Sequence, residues 1–169
     1  MRRKRIYYFL IWLVLAILQV VVIDNLRINS AVPNLVTTAL VIGLFMDLPT
    51  PSLLGGALLS GAMLDLYHSS RFGLISLTLV GLVLLLSVVK AKYVPSASLI
   101  FIVAGSALAS FFYDISLSFL THVLTFPLMT LIAANALYSC LLSGVLVGAL
   151  SLSRGQVFQR DSIFKGRQV

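Results

Sequence analysis

Two carboxylates, Asp65 and Asp114, stand inside otherwise apolar stretches of this chain. Ionisable groups in such surroundings are costly and usually face the interior of a helix bundle. Brought together, two carboxylates separate their proton affinities and act as an acid and base pair. His68 and His122 fall at the same expected level, so a two-His, two-Asp metal site is a second chemistry, although four residues on separate elements form no ligand-spacing motif. A third role is structural. Ser106, Ser110, Asp114 and Ser118 recur every four residues, as do Ala57, Gly61 and Asp65, with Gly56 and Ser60 beside the latter. Asn135, Ser139 and Ser143 form another such stripe, with Gly144 and Gly148 adjacent. On helices these series give narrow small or polar faces that join neighbours by close packing and hydrogen bonds of about 0.6 to 2 kcal/mol each. The spacing favours this structural reading over the two chemical ones.

Enzyme signatures are incomplete. Tyr113-Asp114 resembles one half of the intramembrane aspartyl protease signature, but Ser60-Gly61-Ala62-Met63-Leu64 precedes Asp65 where the other half requires Gly-x-Gly. The length is similar to that of lipoprotein signal peptidases, without their paired Asn and Asp motifs. No nucleophile motif, phosphate loop or nucleotide fingerprint occurs. The single Cys140 excludes an internal disulfide or a CxxC-type metal site. The residues therefore point to a binding or scaffolding protein without a cofactor rather than an enzyme. Arg71 is expected to pair with Asp65, and Asp47 to lie at a helix end or loop beside Pro49.

The elements that would position these residues follow from composition. The 169 residues are 60% apolar and 10% charged, with a mean hydropathy of +1.08, which excludes an ordinary soluble domain. The expected fold is an all-α membrane bundle of about six spans, over 6–23, 33–48, 52–67, 72–89, 96–120 and 127–150. A basic segment, 1–5, precedes it and a basic tail, 151–169, follows. The first span has an 18-residue apolar core with no convincing cleavage site, so we read it as a retained helix and not a signal peptide. Pro33 suits the first turn of the second helix, and Pro49-Thr50-Pro51 breaks the chain before the third. At about 16 residues each, segments 33–48 and 52–67 reach roughly 24 Å against a hydrocarbon core of roughly 30 Å, so they either cross a thinned bilayer or form a re-entrant hairpin. The net charge of +7 would suggest nucleic acid in a soluble protein. Here ten of the twelve basic residues fall on one side of the expected topology and only Arg27 and Arg71 on the other. That asymmetry places both termini in the cytoplasm and suits an anionic lipid surface, not nucleic acid.

From Pro33-Asn34-Leu35, through Gly56 and Gly61-Ala62-Met63-Leu64-Asp65-Leu66, to Phe72-Gly73-Leu74, the order and spacing resemble the family of rod shape-determining proteins called MreD. That pattern covers about 40 residues of the chain, with Phe72 where Leu is usual. Asp114, in an aromatic-x-Asp context on the fifth helix, is similar to a further family feature. The resemblance implies a non-catalytic component of the bacterial inner membrane that controls cell shape and lateral peptidoglycan synthesis. Its implied partners are MreC directly, and through it MreB, the polymerase RodA and a class B penicillin-binding transpeptidase. It also implies a fold similar to the substrate-binding subunits of energy-coupling-factor vitamin importers, and such a subunit is the alternative function. Pro33, Asn34, Gly56, Gly61, Asp65, Gly73 and Asp114 are the helix-packing or partner-interface candidates. On this reading Gly61→Leu weakens docking of a single-pass partner while leaving insertion intact.

Overall fold

The computed structural model describes residues 2–23, 31–68, 72–93, 99–120 and 126–154. Among them are six α-helices and no β-strand: α1 (Arg2–Leu18), α2 (Leu35–Phe45), α3 (Thr50–His68), α4 (Leu74–Tyr93), α5 (Leu99–Leu120) and α6 (Phe126–Arg154). A π-helical turn, Gln19–Ile23, continues α1.

The organising element is the shortest one. Helix α2 has 11 residues, about 16 Å at 1.5 Å per residue, and ten of them are buried. A helix that is apolar all round belongs inside a bundle, and α2 packs against α1, α3, α4, α5 and α6. One of its faces joins Trp12, Leu53, Ala57, Leu64, Ile75, Leu79, Val83 and Tyr113 through Val36, Leu40 and Leu44. Its other face joins Leu82, Ile102, Ala109 and Val147 through Val41, Ile42 and Phe45.

The second helix is thus shorter than the expected 33–48. Pro33 does not sit in its first turn, because Asn34 is the N-cap and the helix begins at Leu35. The chain before it, from Val32, is non-helical, and a proline there removes one backbone donor that the interior would otherwise have to satisfy. The far end of α2 closes in a Schellman turn. Leu48 N–H donates to Gly43 O at 3.0 Å, Asp47 N–H donates to Leu44 O at 3.2 Å, and Asp47 takes φ +58°. Glycine is usual at that left-handed position; here Lys90 of α4 holds the substitute, donating both to Leu44 O and to the Asp47 carboxylate. The ammonium also complements the negative end of the α2 dipole.

Direction follows from these contacts. Tyr8 lines one groove with Pro51 and Ser52, Lys90 meets the end of α2, and Phe45 lies beside Gly105 and in one cluster with Ile102 and Val147. The starts of α1, α3 and α5 therefore share one end of the bundle with the ends of α2, α4 and α6. Arg2 to Arg5, Lys90, Lys92 and Arg154 fall at that end of their helices.

The polarity is the reverse of a water-soluble protein. Gln19, Thr37, Ser60, Asp65, Ser106, Ser110, Ser139 and Ser143 are buried, while Phe9, Leu77, Leu84, Phe112, Leu137, Leu141 and Val145 are exposed. Three helices, over Leu74–Lys92, Ile100–Leu120 and Leu128–Leu150, are long and apolar enough to cross a membrane. Buried hydroxyls return their protons to carbonyls one turn back, as Ser60 does to Gly56 at 2.6 Å and Ser106 to Ile102 at 2.8 Å.

The glycines of α3 divide by face. Gly56 lies under the Trp12 indole, and a Cβ on Gly61 would stand 2.5 Å from Ser76 Cα. Gly61, expected either to pack neighbouring helices or to receive a partner, is an internal contact between α3 and α4. Nothing lies within 4 Å of a Cβ on Gly55. Gly61→Ala should therefore lower the thermal unfolding midpoint in detergent, by about 1 to 3 kcal/mol of overpacking. Gly55→Ala should leave it unchanged or raise it slightly through helix propensity; equal effects of the two would refute this division of faces.

Candidate functional site

Two polar assemblies account for Pro33, Asn34, Gly61, Asp65, Gly73 and Asp114. The first joins α3 to α4. Gly73 occupies the N-cap position of α4: its carbonyl accepts from Leu77 N–H at 2.9 Å, and its φ of +93° is one that L side chains rarely adopt. A glycine cap has no side chain to receive the donors of the second and third helical residues. Asp65 of α3 supplies the missing acceptor. Its carboxylate receives Ile75 N–H at 2.9 Å, Ser76 N–H at 3.1 Å and the Ser76 hydroxyl at 2.7 Å. Asp65 is only 4% exposed, so these groups have little access to competing water. Gly61, one turn earlier on α3, lets Ser76 come close enough for the bonds to form. The Gly61, Asp65 and Gly73 spacing is therefore the sequence trace of a helix cap supplied by the preceding helix.

The second assembly holds the start of α2. Val32 N–H donates to Asn135 Oδ1 at 2.8 Å, Asn34 N–H to Ser139 Oγ at 3.0 Å, and Leu35 N–H to Gln19 Oε1 at 2.7 Å. The Asn34 side chain receives Thr37 N–H at 3.0 Å, the ordinary capping bond. The Gln19 amide also donates to Pro33 O at 3.3 Å, and the Thr37 and Ser110 hydroxyls meet at 3.2 Å. Asn135 completes the set by donating from Nδ2 to Asp114 Oδ2 at 3.1 Å. The π turn that begins at Gln19, the α5 stripe and the α6 stripe thus converge on one buried chain segment.

The candidates fall into place as follows. Pro33 and Asn34 belong to the α2 assembly, which Asp114 supports through Asn135; Gly61, Asp65 and Gly73 build the α4 cap; and Gly56 seats Trp12. Asp65 and Asp114 each accept from a different assembly, and no hydrogen bond among the described residues joins them. His68 is the last residue of α3, whereas His122 and Arg71, the expected partner of Asp65, lie outside the described residues. No group of three or more His, Cys, Asp or Glu is placed to hold a metal ion among the described residues. Asp47 lies in the turn before Pro49, with its side chain 86% exposed and bound to Lys90.

Gln19, Thr37 and Lys90 were not singled out by the sequence reading. Gln19 had a signal, as the one amide in the apolar run from Ile6 to Ile23. Lys90 had none, because its target is a carbonyl 46 residues earlier. No family model, curated protein or solved structure matches the chain.

The assemblies predict graded losses. Asp65→Ala strands two backbone donors and a hydroxyl, at about 1 to 3 kcal/mol for each unsatisfied group, and should lower the thermal midpoint in detergent substantially. Asp65→Asn keeps one carbonyl oxygen and should lower it less. Asn135→Leu, which strands Val32 N–H and removes the donor to Asp114, should resemble Asp65→Ala; a wild-type midpoint in either would contradict these roles.

Proposed function

We propose that this chain is a non-catalytic inner-membrane scaffold of the bacterial elongation (rod) complex, of the MreD type, that binds MreC and helps control cell shape and lateral peptidoglycan synthesis. The observation that carries the reading is the use made of the motif residues. Asn34, Gly61, Asp65 and Gly73, with Asp114 behind them, serve to cap helices and to bring them together. A protein whose in-span polar groups satisfy one another's backbones is built to hold a shape, and a fixed surface is what a scaffold offers to partners.

In this reading the chain passes six times through the cytoplasmic membrane, the second pass made by the non-helical segment from Ala31 together with the 11-residue α2, with both termini and the Lys90 and Lys92 loop on the cytoplasmic side. The gathering of Arg2 to Arg5, Lys90, Lys92 and Arg154 at one end of their helices supports that orientation. The fold is of the kind used by substrate-binding subunits of energy-coupling-factor importers, redirected to protein contacts. MreC, a single-pass periplasmic scaffold, binds directly, and MreB filaments, RodA and a class B penicillin-binding transpeptidase associate through the same complex.

A tagged copy purified from its native host in mild detergent should bring down MreC together with cell-wall synthases, identified by mass spectrometry. Recovery of an ATPase pair with its coupling membrane protein, and no MreC, would overturn the reading in favour of vitamin import.

A further inference from the structure

A cavity of about 370 Å³ opens between the α2–α3 turn and the end of α4, lined by Asp47, Leu48, Pro49, Thr50, Ser87 and Lys90. It carries one full charge of each sign. The Lys90 ammonium, 5.9 Å from the centre of the Phe45 ring, gives two of its three N–H groups to Leu44 O and Asp47 Oδ1. The third has no acceptor among the described residues. The other oxygen of Asp47, Oδ2, receives no donor there, on a side chain that is 86% exposed. Thr50 opens α3, so its N–H has no partner within the helix, and its hydroxyl makes no hydrogen bond among the described residues. Open donors on a cation and an open acceptor on an anion thus adjoin one another, which matches a zwitterion laid against them in the opposite sense. The level of the cavity also bears on its occupant. Lys90 lies in the last turn of α4, whose segment Leu74–Lys92 is long and apolar enough to cross a membrane. Leu84 and Val88, exposed on the face of α4 that carries Ser87, lead from the cavity toward the hydrocarbon.

We infer that this cavity binds a lipid whose headgroup is an aminoalkyl phosphate, as in phosphatidylethanolamine, with the phosphate on Lys90 and Thr50, the ammonium on Asp47 and an acyl chain along Leu84 and Val88. Polar cavities between spanning helices hold lipid headgroups by charge-assisted hydrogen bonds of this kind. A purely anionic headgroup on Lys90 would stand beside the Asp47 carboxylate with nothing to give it. A choline headgroup has both charges but no N–H to donate. The lipid uses only the open N–H groups, the Thr50 hydroxyl and the open oxygen, so the turn that Lys90 and Asp47 close stays closed. The inference rests on the membrane placement of α4 and not on the proposed partners.

The full-length protein in detergent micelles is mixed with phosphatidylethanolamine, phosphatidylcholine and phosphatidylglycerol of identical acyl chains, and bound lipid is counted by native mass spectrometry. Phosphatidylethanolamine should be retained about five-fold over phosphatidylcholine, the scale of one exposed ion pair, with its N-methyl and N,N-dimethyl forms in between. It should also be retained over phosphatidylglycerol. Asp47→Asn removes the negative charge but keeps a side chain that tolerates the left-handed turn, and should reverse the second preference, so that phosphatidylglycerol is retained best. Equal retention of phosphatidylethanolamine and phosphatidylcholine, or a phosphatidylethanolamine preference unchanged by Asp47→Asn, would overturn the site. Soluble phosphoethanolamine at the lipid's concentration should displace little of it; complete displacement would make the headgroup alone the ligand and overturn a lipid site. Should Asp47→Asn not fold, the methylation series on the unaltered protein decides the question.

Discussion

An unsatisfied backbone N–H in an apolar interior costs more than most single contacts return, and that constraint governs this bundle. A helix that crosses a bilayer can leave its end groups to water and headgroups. Helix α2 cannot, because it is 11 residues long and buried on every side. Its first donors and last acceptors must find partners inside the protein. Gln19, Asn34, Asn135 and Ser139 meet that need at one end, and the Schellman turn with Lys90 meets it at the other. Helix α4 presents the same problem at Gly73, and Asp65 answers it.

These brackets explain why the interior is polar at a few points while the exterior is apolar. Among helices surrounded by lipid, burial of apolar surface gives little net drive for association, so close packing and interhelical hydrogen bonds take its place. Gly56 and Gly61 provide the close packing, and the α5 and α6 stripes provide the hydrogen bonds. Apart from Asn34, which caps its own helix, each polar side chain in a bracket reaches a different element, so removing one loosens the seating of a whole helix as well as breaking a pair.

Much of this was legible in sequence for a physical reason: apolar segments of membrane length and polar stripes at helical spacing are local properties. The inward direction of Ser106, Ser110, Ser139 and Ser143 followed from polarity alone. What was not legible were the partners. Asn135 caps a segment 103 residues away and Asp65 a helix that begins after a loop, and neither pairing leaves a periodic trace. A stripe of small residues announces that a neighbour comes close without saying which one. Gly61 therefore suited a neighbouring helix or a foreign one equally, and Ser76 of α4 fills that place. The short length of α2 was hidden too, because an extended buried segment before a helix is as apolar as the helix itself.

The most direct test of the central claim is site-resolved amide hydrogen exchange on the protein in lipid nanodiscs, read at Leu35, Thr37, Ile75 and Ser76. These amides lie at helix starts, where exchange is ordinarily fast. If the brackets from Gln19, Asn34 and Asp65 hold them, they should be protected to the same degree as amides in the middle of α2 and α4. Exchange at the rate of fraying ends would mean that the buried caps do not form, and would contradict the account.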